Sequence, residues 1–185
     1  MGADPERRFE ELYESSYRPL LGYALRRCPD PDDAADVVAE TFMVAWRRIE
    51  AVPRGDEARL WLFGVARKVL ANHRRGERRH EQRTAALRAQ LAASPLAASP
   101  LATELPGEEL SRLGQVFRAL PEGDRELLAL VAWERLSPGE IAKVLGTSAN
   151  VVRVRLYRAR RRFARRLTEA GIHHSRAVAF EGSKL

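Results

Sequence analysis

The stretch DPDDAADVVAETFMVAWRRIE, residues 30 to 50, decides the fold of this chain. Asp30 can cap a helix that begins at Pro31, and two more aspartates follow in the first turn, where negative charge suits the helix dipole. Apolar residues then recur at helical spacing and predict a side that faces a core: Ala34, Val37, Val38, Phe42, Ala45, Trp46 and Ile49. The sequence therefore predicts an amphipathic helix at the centre of an all-α fold.

The opposite side of the same helix is acidic although the chain is basic. It carries Asp36, Glu40, Met43 and Arg47, in a chain whose formal net charge at pH 7 is +7. Two carboxylates one turn apart repel each other slightly, so they do not stabilise the helix. One interpretation is an ordinary solvated face. The other is a docking surface for a partner other than nucleic acid.

Composition places the chain among globular proteins that favour polyanionic ligands. Of its 185 residues, 45% are hydrophobic and 31% are charged, and the sequence pI is about 10.3. Nucleic acid is therefore the first candidate ligand. No apolar run approaches the roughly 20 residues of a spanning helix, so no membrane insertion is expected.

The sequence predicts neither an enzyme nor a metal or cofactor site. Cys28 is the only cysteine, which excludes a disulfide framework and a cysteine-based zinc site and fits a reducing cytoplasm. His173 and His174 stand apart from any cluster of carboxylates or cysteines. No nucleophile, base and orienting group occur together, and no glycine-rich phosphate loop is present.

A helical segment precedes the central helix. Between residues 5 and 27, apolar residues that include Phe9 and Leu12 recur at helical spacing, and these two are expected in a core. Pro19 interrupts the segment. Because proline removes a backbone hydrogen bond, we expect a kink or a split into two short helices there.

Another helical segment follows the central helix. Pro53, Arg54 and Gly55 mark a loop at residues 51–58. A helix is predicted from about 58 to 75, with this apolar side: Trp61, Leu62, Val65, Ala66, Val69 and Leu70. Trp61 is assigned to the core on this spacing, although Trp61 and Phe63 are also candidates for stacking on bases.

The second half of this segment is strongly basic. Residues 67–83, RKVLANHRRGERRHEQR, carry seven cationic side chains: Arg67, Lys68, Arg74, Arg75, Arg78, Arg79 and Arg83. Such a run is either a phosphate-binding surface or a solvated tail, and the overall charge favours phosphate binding. Contacts of this kind position nucleic acid and do not read its sequence.

The amino-acid composition changes at residues 84–106, TAALRAQLAASPLAASPLATELP. They contain a near repeat of Leu-Ala-Ala-Ser-Pro, lack aromatic residues and carry prolines that interrupt helices. This segment predicts a flexible linker. It would join a domain at 1–83 to a domain at 107–168, which is followed by a mobile tail at 169–185.

The sequence of the second domain predicts four helices, and the last two form a helix-turn-helix. Ser-Pro-Gly-Glu at 137–140 is a capping box with proline in the first turn, and Gly146 marks the end of that short helix. Thr147 or Ser148 can cap the next helix. Its apolar side is Val152, Leu156, Ala159, Phe163 and Leu167. Each of the first two helices has an apolar side: Leu110, Leu113, Phe117 and Leu120 in the first, and Leu127, Leu128, Val131 and Trp133 in the second.

The last helix presents a surface suited to DNA. Between Ser148 and Thr168 there are eight arginines and no acidic residue. Asn150, Arg153 and Arg155, near its N-terminus, stand where recognition helices meet base edges in the major groove. The later arginines are expected to hold phosphates. A merely solvated basic helix is the alternative.

Two motifs resemble segments of the bacterial RNA polymerase sigma factors, in particular the extracytoplasmic-function (ECF) group. The pattern D-A-x-D-x-V-x-E-T-F-x-x-A-W at 33–46 is similar to the family's core-binding segment. The stretch LSPGEIAKVLGTSANVVRVRLYRARRRF at 136–163 is similar to its minus-35-binding domain, with Val151, Arg153 and Val154 where that pattern has T, K and S. The two motifs in the expected order are more specific than either alone.

The resemblance implies partners and site residues. Docking on the largest subunits of core RNA polymerase would use Asp36, Glu40, Thr41, Met43 and Arg47. The melted minus-10 strand would be held by Pro53, Arg54, Gly55, Arg67, Lys68, Asn72, Arg74, Arg75 and Arg78. The minus-35 duplex would be read by Ser148, Asn150, Arg153, Arg155, Tyr157 and Arg158. Contacts with the polymerase flap, action at the nucleoid and, as is common in the family, an inhibitory anti-sigma factor are also implied.

Two other functions fit parts of the sequence. A stand-alone helix-turn-helix regulator of duplex operators would need a sensor or dimerisation domain, whereas residues 1–83 show an acidic helix and a basic groove. An adaptor that grips polymerase without reading DNA is opposed by the arginine-rich last helix. The leading hypothesis is an ECF-type sigma factor that binds core RNA polymerase, directs it to specific promoters and helps to melt the minus-10 region.

Overall fold

Every regular element in the described part of the chain is helical. The structure, a computed structural model, describes the backbone of residues 4–91 and 108–172 and the side chains of residues 4–76 and 111–172. Its elements are α1 (Pro5–Leu25), α2 (Pro31–Arg47), a 3-10 turn (Ile49–Ala51), α3 (Asp56–Leu91), α4 (Glu108–Arg118), α5 (Glu122–Ala132), α6 (Pro138–Leu145) and α7 (Ala149–Glu169). The predicted all-α class is confirmed.

The helices group into two compact units. The first contains α1, α2, α3 and α6, and the second contains α4, α5 and α7. In the first unit, Lys143 Nζ of α6 pairs with Glu57 Oε1 of α3 at 2.7 Å. The domain limits 1–83 and 107–168 stay a prediction. Residues 92–106 of the predicted linker and 173–185 of the predicted tail lie outside the described residues.

The helix α2 forms as its sequence predicts. It begins at Pro31, and a carboxylate oxygen of Asp30 accepts a hydrogen bond from the backbone N–H of Asp32 at 2.7 Å. The predicted core side is buried at Ala34, Val37, Val38, Phe42, Ala45 and Ile49. Trp46 differs, because it is 46% exposed and packs edge-on against Phe9, with ring centroids 5.2 Å apart. Its assignment to the core side was wrong.

The helix α1 is unbroken. It runs for 21 residues with Pro19 inside it, so the predicted split into two short helices was wrong. Leu12 and Ser16 before the proline and Leu20 and Tyr23 after it are all buried. Burial on both sides of Pro19 holds the two halves against the core and offsets the roughly 3 kcal/mol that proline costs inside a helix.

A tyrosine and a phenylalanine join α1 to α3 in the core of the first unit. Tyr23 is fully buried, and its ring stacks on Phe63 with centroids 5.0 Å apart. The guanidinium carbon of Arg27 lies 3.6 Å from the centroid of the Tyr23 ring. Because only 2% of Phe63 is exposed, the hypothesis that it stacks on bases was wrong. Trp61 is half-buried.

The helix α3 is longer than predicted. It extends from Asp56 to Leu91, whereas the sequence placed its end near residue 75 and a linker from residue 84. A single glycine, Gly76, costs a helix only about 1 kcal/mol. The residues around it are mostly Arg, Glu, Gln, Ala and Leu, which all favour helix. The prolines that would end a helix occur later in the sequence.

The second unit is built on leucines and an aromatic group. Leu127 and Leu130 of α5 are fully buried. Phe117 of α4 contacts Trp133 and Phe163 edge-on, at centroid distances of 5.4 and 5.9 Å. The predicted apolar side of α7 is buried at Val152, Leu156, Ala159 and Leu167 and half-buried at Phe163.

Candidate functional site

The acidic face of α2 reaches the surface. Asp36 and Arg47 are exposed, and Met43 is 52% exposed. Glu40 is half-exposed, and its Oε2 lies 3.0 Å from Nε2 of His73 on α3. We define Asp36, Glu40, Met43 and Arg47 as the acidic face. His73 was missed by sequence reasoning, because only the packing of α2 on α3 brings it beside Glu40.

The side chain of Thr41 does not reach that surface. Thr41 is fully buried, and its hydroxyl donates a hydrogen bond to the carbonyl oxygen of Val37 at 2.6 Å. This bond satisfies the hydroxyl within the helix, as is usual for a threonine at a buried helical position. The inclusion of Thr41 among the polymerase-contact residues is therefore corrected: its place in the motif is explained by packing.

Two aromatic rings on α1 are partly exposed, and one of them packs against α2. Tyr13 is 41% exposed and Tyr17 is 36% exposed, and their ring centroids are 5.2 Å apart. Tyr13 in turn lies 4.7 Å from the ring of Phe42 on α2. The two tyrosines are four residues apart in the sequence, the spacing of neighbours on a helix surface. The sequence alone could therefore have predicted that these two rings are neighbours.

The loop after α2 has an anchored base and an exposed tip. Val52 is buried, and its carbonyl oxygen accepts a hydrogen bond from the guanidinium of Arg8 on α1. Pro53 is half-buried, whereas Arg54 and Gly55 are exposed. Gly55 has a φ of 65°, a left-handed conformation that favours glycine. The loop therefore presents Arg54 from a fixed position.

The basic side of α3 carries four of the nine residues predicted for the minus-10 strand. These four are exposed at helical spacing and lie on one side: Arg67, Lys68, Asn72 and Arg75. Arg74 differs, because it is half-buried and donates a hydrogen bond to the carbonyl oxygen of Arg27 at 3.2 Å. Arg78 lies outside the residues whose side chains the structure describes.

A tight turn ends α6 and leads into α7. Gly146 has a φ of 64°. Its N–H donates to the carbonyl oxygen of Lys143 at 3.4 Å, and the N–H of Thr147 donates to that of Ala142 at 3.0 Å. This pair of bonds is the Schellman motif that glycine favours at a helix end. Helix, turn and helix follow one another in the predicted order.

All six residues predicted to read the minus-35 duplex are exposed: Ser148, Asn150, Arg153, Arg155, Tyr157 and Arg158. Nη1 of Arg153 donates a hydrogen bond to Oδ1 of Asn150 at 2.7 Å. Tyr157 is 61% exposed, and the guanidinium carbon of Arg161 lies 5.8 Å from the centroid of its ring. Ser148 directly precedes α7, and the other five lie along its first half.

Some arginines of α7 contact the second unit itself. Arg162 is paired with Asp124 of α5. Arg166 donates from Nη1 to the carbonyl oxygen of Ala119 at 3.0 Å. The side chain of Arg155 lies close to Gly123 of α5: its Nη2 is 3.0 Å from the point where a Cβ atom on that glycine would stand. The later arginines of α7 were all expected to bind phosphates. This expectation is corrected for Arg162 and Arg166, because they connect α7 to the rest of the unit.

The described residues offer no membrane span and no metal cluster. Within residues 4–91 and 108–172, no helix has the length and apolar composition that crossing a bilayer requires. The same part of the chain contains no group of three or more His, Cys, Asp and Glu side chains placed to hold a metal ion.

Comparisons with known proteins match both halves of the chain. The family model of Sigma-70 region 2 matches residues 12–80, and that of Sigma-70, region 4 matches residues 110–163. The RNA polymerase sigma-H factor of Pseudomonas aeruginosa is 31% identical over 162 residues, which cover 84% of this chain and 83% of that protein. The ECF RNA polymerase sigma factor SigL of Mycobacterium tuberculosis is 30% identical over 169 residues, which cover 87% of this chain and 89% of that protein.

A solved structure supports the fold. The sigma factor RpoE of Bartonella quintana, crystallised in complex with the anti-sigma factor NepR, has a TM-score of 0.63 at 22% identity. The match covers 86% of this chain and 96% of that chain. At this identity the likeness bears on the fold alone.

Proposed function

Because this chain belongs to the ECF sigma factors of bacterial RNA polymerase, we propose that separate surfaces of the chain bind the polymerase and the promoter. Directing RNA polymerase to promoters is the function of the family. The observation that carries the assignment of surfaces is their opposite charge. A chain of net charge +7 carries an exposed acidic face on α2, and exposed arginines dominate α7.

The acidic face binds core polymerase. Its two carboxylates, Asp36 and Glu40, are one turn apart on α2 and both reach the surface. DNA would repel them, whereas a basic surface on the large polymerase subunits would attract them. Met43 adds an exposed apolar side chain between the charges. Such a mixture of an apolar contact and charges is typical of protein interfaces.

The basic surfaces bind the promoter. Arg54 at the loop tip and the exposed side of α3 hold the melted minus-10 strand, because opening a duplex needs a basic groove for the displaced strand. The exposed half of α7 enters the major groove of the minus-35 duplex. In this proposal the two surfaces belong to the domains at 1–83 and 107–168, and the linker at 84–106 lets them reach both elements.

We also propose where the chain acts and which further partners it binds. The chain acts in the cytoplasm at the nucleoid, where its promoter is found, and it initiates transcription without catalysing a reaction and without a cofactor. The polymerase flap is a further contact. An anti-sigma factor is a further partner, by analogy with the Bartonella quintana protein, which was crystallised with one.

Transcription from linear promoter DNA tests this function. Core polymerase with this chain is expected to give promoter-dependent transcripts, whereas core polymerase alone gives none and the free chain binds the same duplex weakly. The result that would favour a stand-alone regulator is tight, sequence-specific binding of the free chain to duplex DNA with no effect of added polymerase.

Replacing one arginine of α7 tests how the minus-35 duplex is read. Arg153→Ala is expected to reduce discrimination between the correct and an altered minus-35 sequence by about 1–3 kcal/mol, the value of one bidentate base contact. The measurement is the affinity of the polymerase complex for both duplexes. Arg165→Ala, an exposed arginine at the far end of α7, is the matched control and should leave discrimination unchanged. A uniform loss on both sequences would make Arg153 a phosphate contact.

A further inference from the structure

The exposed side of α7 carries apolar residues as well as arginines. Val151 is 44% exposed, Val154 is 49% exposed and Tyr157 is 61% exposed. They follow one another at three-residue spacing, so they are neighbours on the helix surface. Tyr157 was predicted from the sequence as a DNA contact, whereas the two valines were noted only as departures from a pattern.

Val154 lies at the middle of this exposed side. Val152 and Leu156, two residues before it and two after it, are both buried. At about 100° per residue, each of them points roughly 160–200° away from Val154 around the helix. Asn150 lies one turn before Val154, and it is exposed and bonded to Arg153. Any duplex that meets Asn150 and Arg153 therefore also meets Val154.

The valines do not contribute to stability in the way that buried valines do. A β-branched residue loses side-chain freedom in a helix and favours it less than alanine or arginine does. Half-exposed side chains bury little surface in return. Single apolar residues on a surface are common, but these are adjacent and lie among residues that point to DNA.

We propose that Val154, with Val151 beside it, contacts the 5-methyl groups of thymines in the minus-35 element. Thymine is the only standard base that presents a methyl group in the major groove, and small apolar side chains are its usual contacts. The inference rests on the proposed function and deepens it: the preferred minus-35 duplex has thymine where Val154 meets the base edges.

Charge favours DNA over a protein as the occupant of this side of α7. Eight arginines and no acidic residue lie between Ser148 and Thr168. At least five of the eight, Arg153, Arg155, Arg158, Arg160 and Arg161, are exposed along the same part of the helix as the valines. A surface so basic attracts phosphates from both sides of a groove. Apolar contacts between those arginines then meet base edges.

Replacing thymine by deoxyuridine removes only the methyl group, so it tests the contact directly. The probe is the promoter duplex of the transcription experiment, with each minus-35 thymine exchanged singly for deoxyuridine. The complex of core polymerase with the full chain is expected to lose affinity about fourfold at one or two positions, the factor for burying one methyl group. Unchanged affinity at every position would overturn the inference.

Variants at Val154 assign the effect to this side chain. Val154→Ala should bind the thymine duplex about fourfold more weakly and lose no more affinity when the sensitive thymine becomes deoxyuridine. Val154→Ile should keep the sensitivity. Val151→Ala should leave the Val154-dependent position sensitive. All three variants change an exposed side chain, so none of them should lower the melting temperature below that of the parent chain.

Failure of this inference is distinguishable from failure of the proposed function. Normal promoter-dependent transcription without any response to deoxyuridine, or with an undiminished response in Val154→Ala, would overturn the inference alone. A Val154→Ala variant that binds DNA normally but assembles poorly with polymerase would replace it with a protein contact. Absence of promoter-dependent transcription would overturn both.

Discussion

Capture of core polymerase is expected to fall at least about a hundredfold when Asp36→Lys and Glu40→Lys are combined. Juxtaposing like charges at an interface costs several kcal/mol, and each 1.4 kcal/mol is about a tenfold change in affinity. Both side chains reach the surface, and the contact of Glu40 with His73 is itself partly exposed. The fold should therefore survive. The measurement is a fluorescence titration of labelled chain with core polymerase at fixed salt.

A matched pair on α1 controls for the change of net charge. Glu10 and Glu14 are exposed and four residues apart, like Asp36 and Glu40, so Glu10→Lys with Glu14→Lys makes the same change of charge on a different helix. The control is expected to retain capture within a few-fold. An equal loss in both double variants would point to general electrostatics. Normal capture by the Asp36 and Glu40 variant would remove the acidic face from the polymerase contact.

Replacement of the central tyrosine is expected to have the largest effect on stability. Tyr23→Ala should lower the free energy of unfolding of the first unit by about 3–5 kcal/mol, as truncation of a large buried aromatic side chain does. The ring is fully buried and contacts both Phe63 and Arg27, so its loss leaves a cavity between α1 and α3. Small domains have a total stability of about 5–15 kcal/mol. Urea unfolding followed by circular dichroism measures the change.

The control for this experiment is a tyrosine of the same helix that lies at the surface. Tyr17 is 36% exposed, and Tyr17→Ala should cost about 1–2 kcal/mol, less than Tyr23→Ala, because less surface is buried there. Tyr23→Phe keeps the stacked ring and removes only the hydroxyl, so it should cost less than Tyr23→Ala. Equal urea midpoints for Tyr17→Ala and Tyr23→Ala would contradict the arrangement of α1 on α3.

Local signals in the sequence predict the ends and faces of several helices. Asp30 with Pro31 fixes the start of α2, and the spacing of its apolar residues identifies every buried position except Thr41 and wrongly adds Trp46. Gly146 marks the end of α6 and adopts the positive φ that the turn requires. These features depend on neighbours within one or two turns, so a single sequence contains them.

Features that depend on tertiary packing are not predicted in this way. Pro19 is accommodated because both sides of it are buried, and Thr41 is buried because α2 packs against its neighbours. The contact of His73 with Glu40 joins residues 33 positions apart in the sequence. Val154 is a different case, since its place opposite the apolar side of α7 follows from helical spacing alone. Its exposure could have been predicted.

Gel filtration of the chain with core RNA polymerase is the decisive measurement, because a sigma factor selects promoters only while it is bound to the enzyme. In an equimolar mixture at micromolar concentration, the chain is expected to elute with the polymerase, and the variant with Asp36→Lys and Glu40→Lys is expected to elute separately. Elution of the parent chain apart from the polymerase would contradict the assignment of this protein to promoter selection.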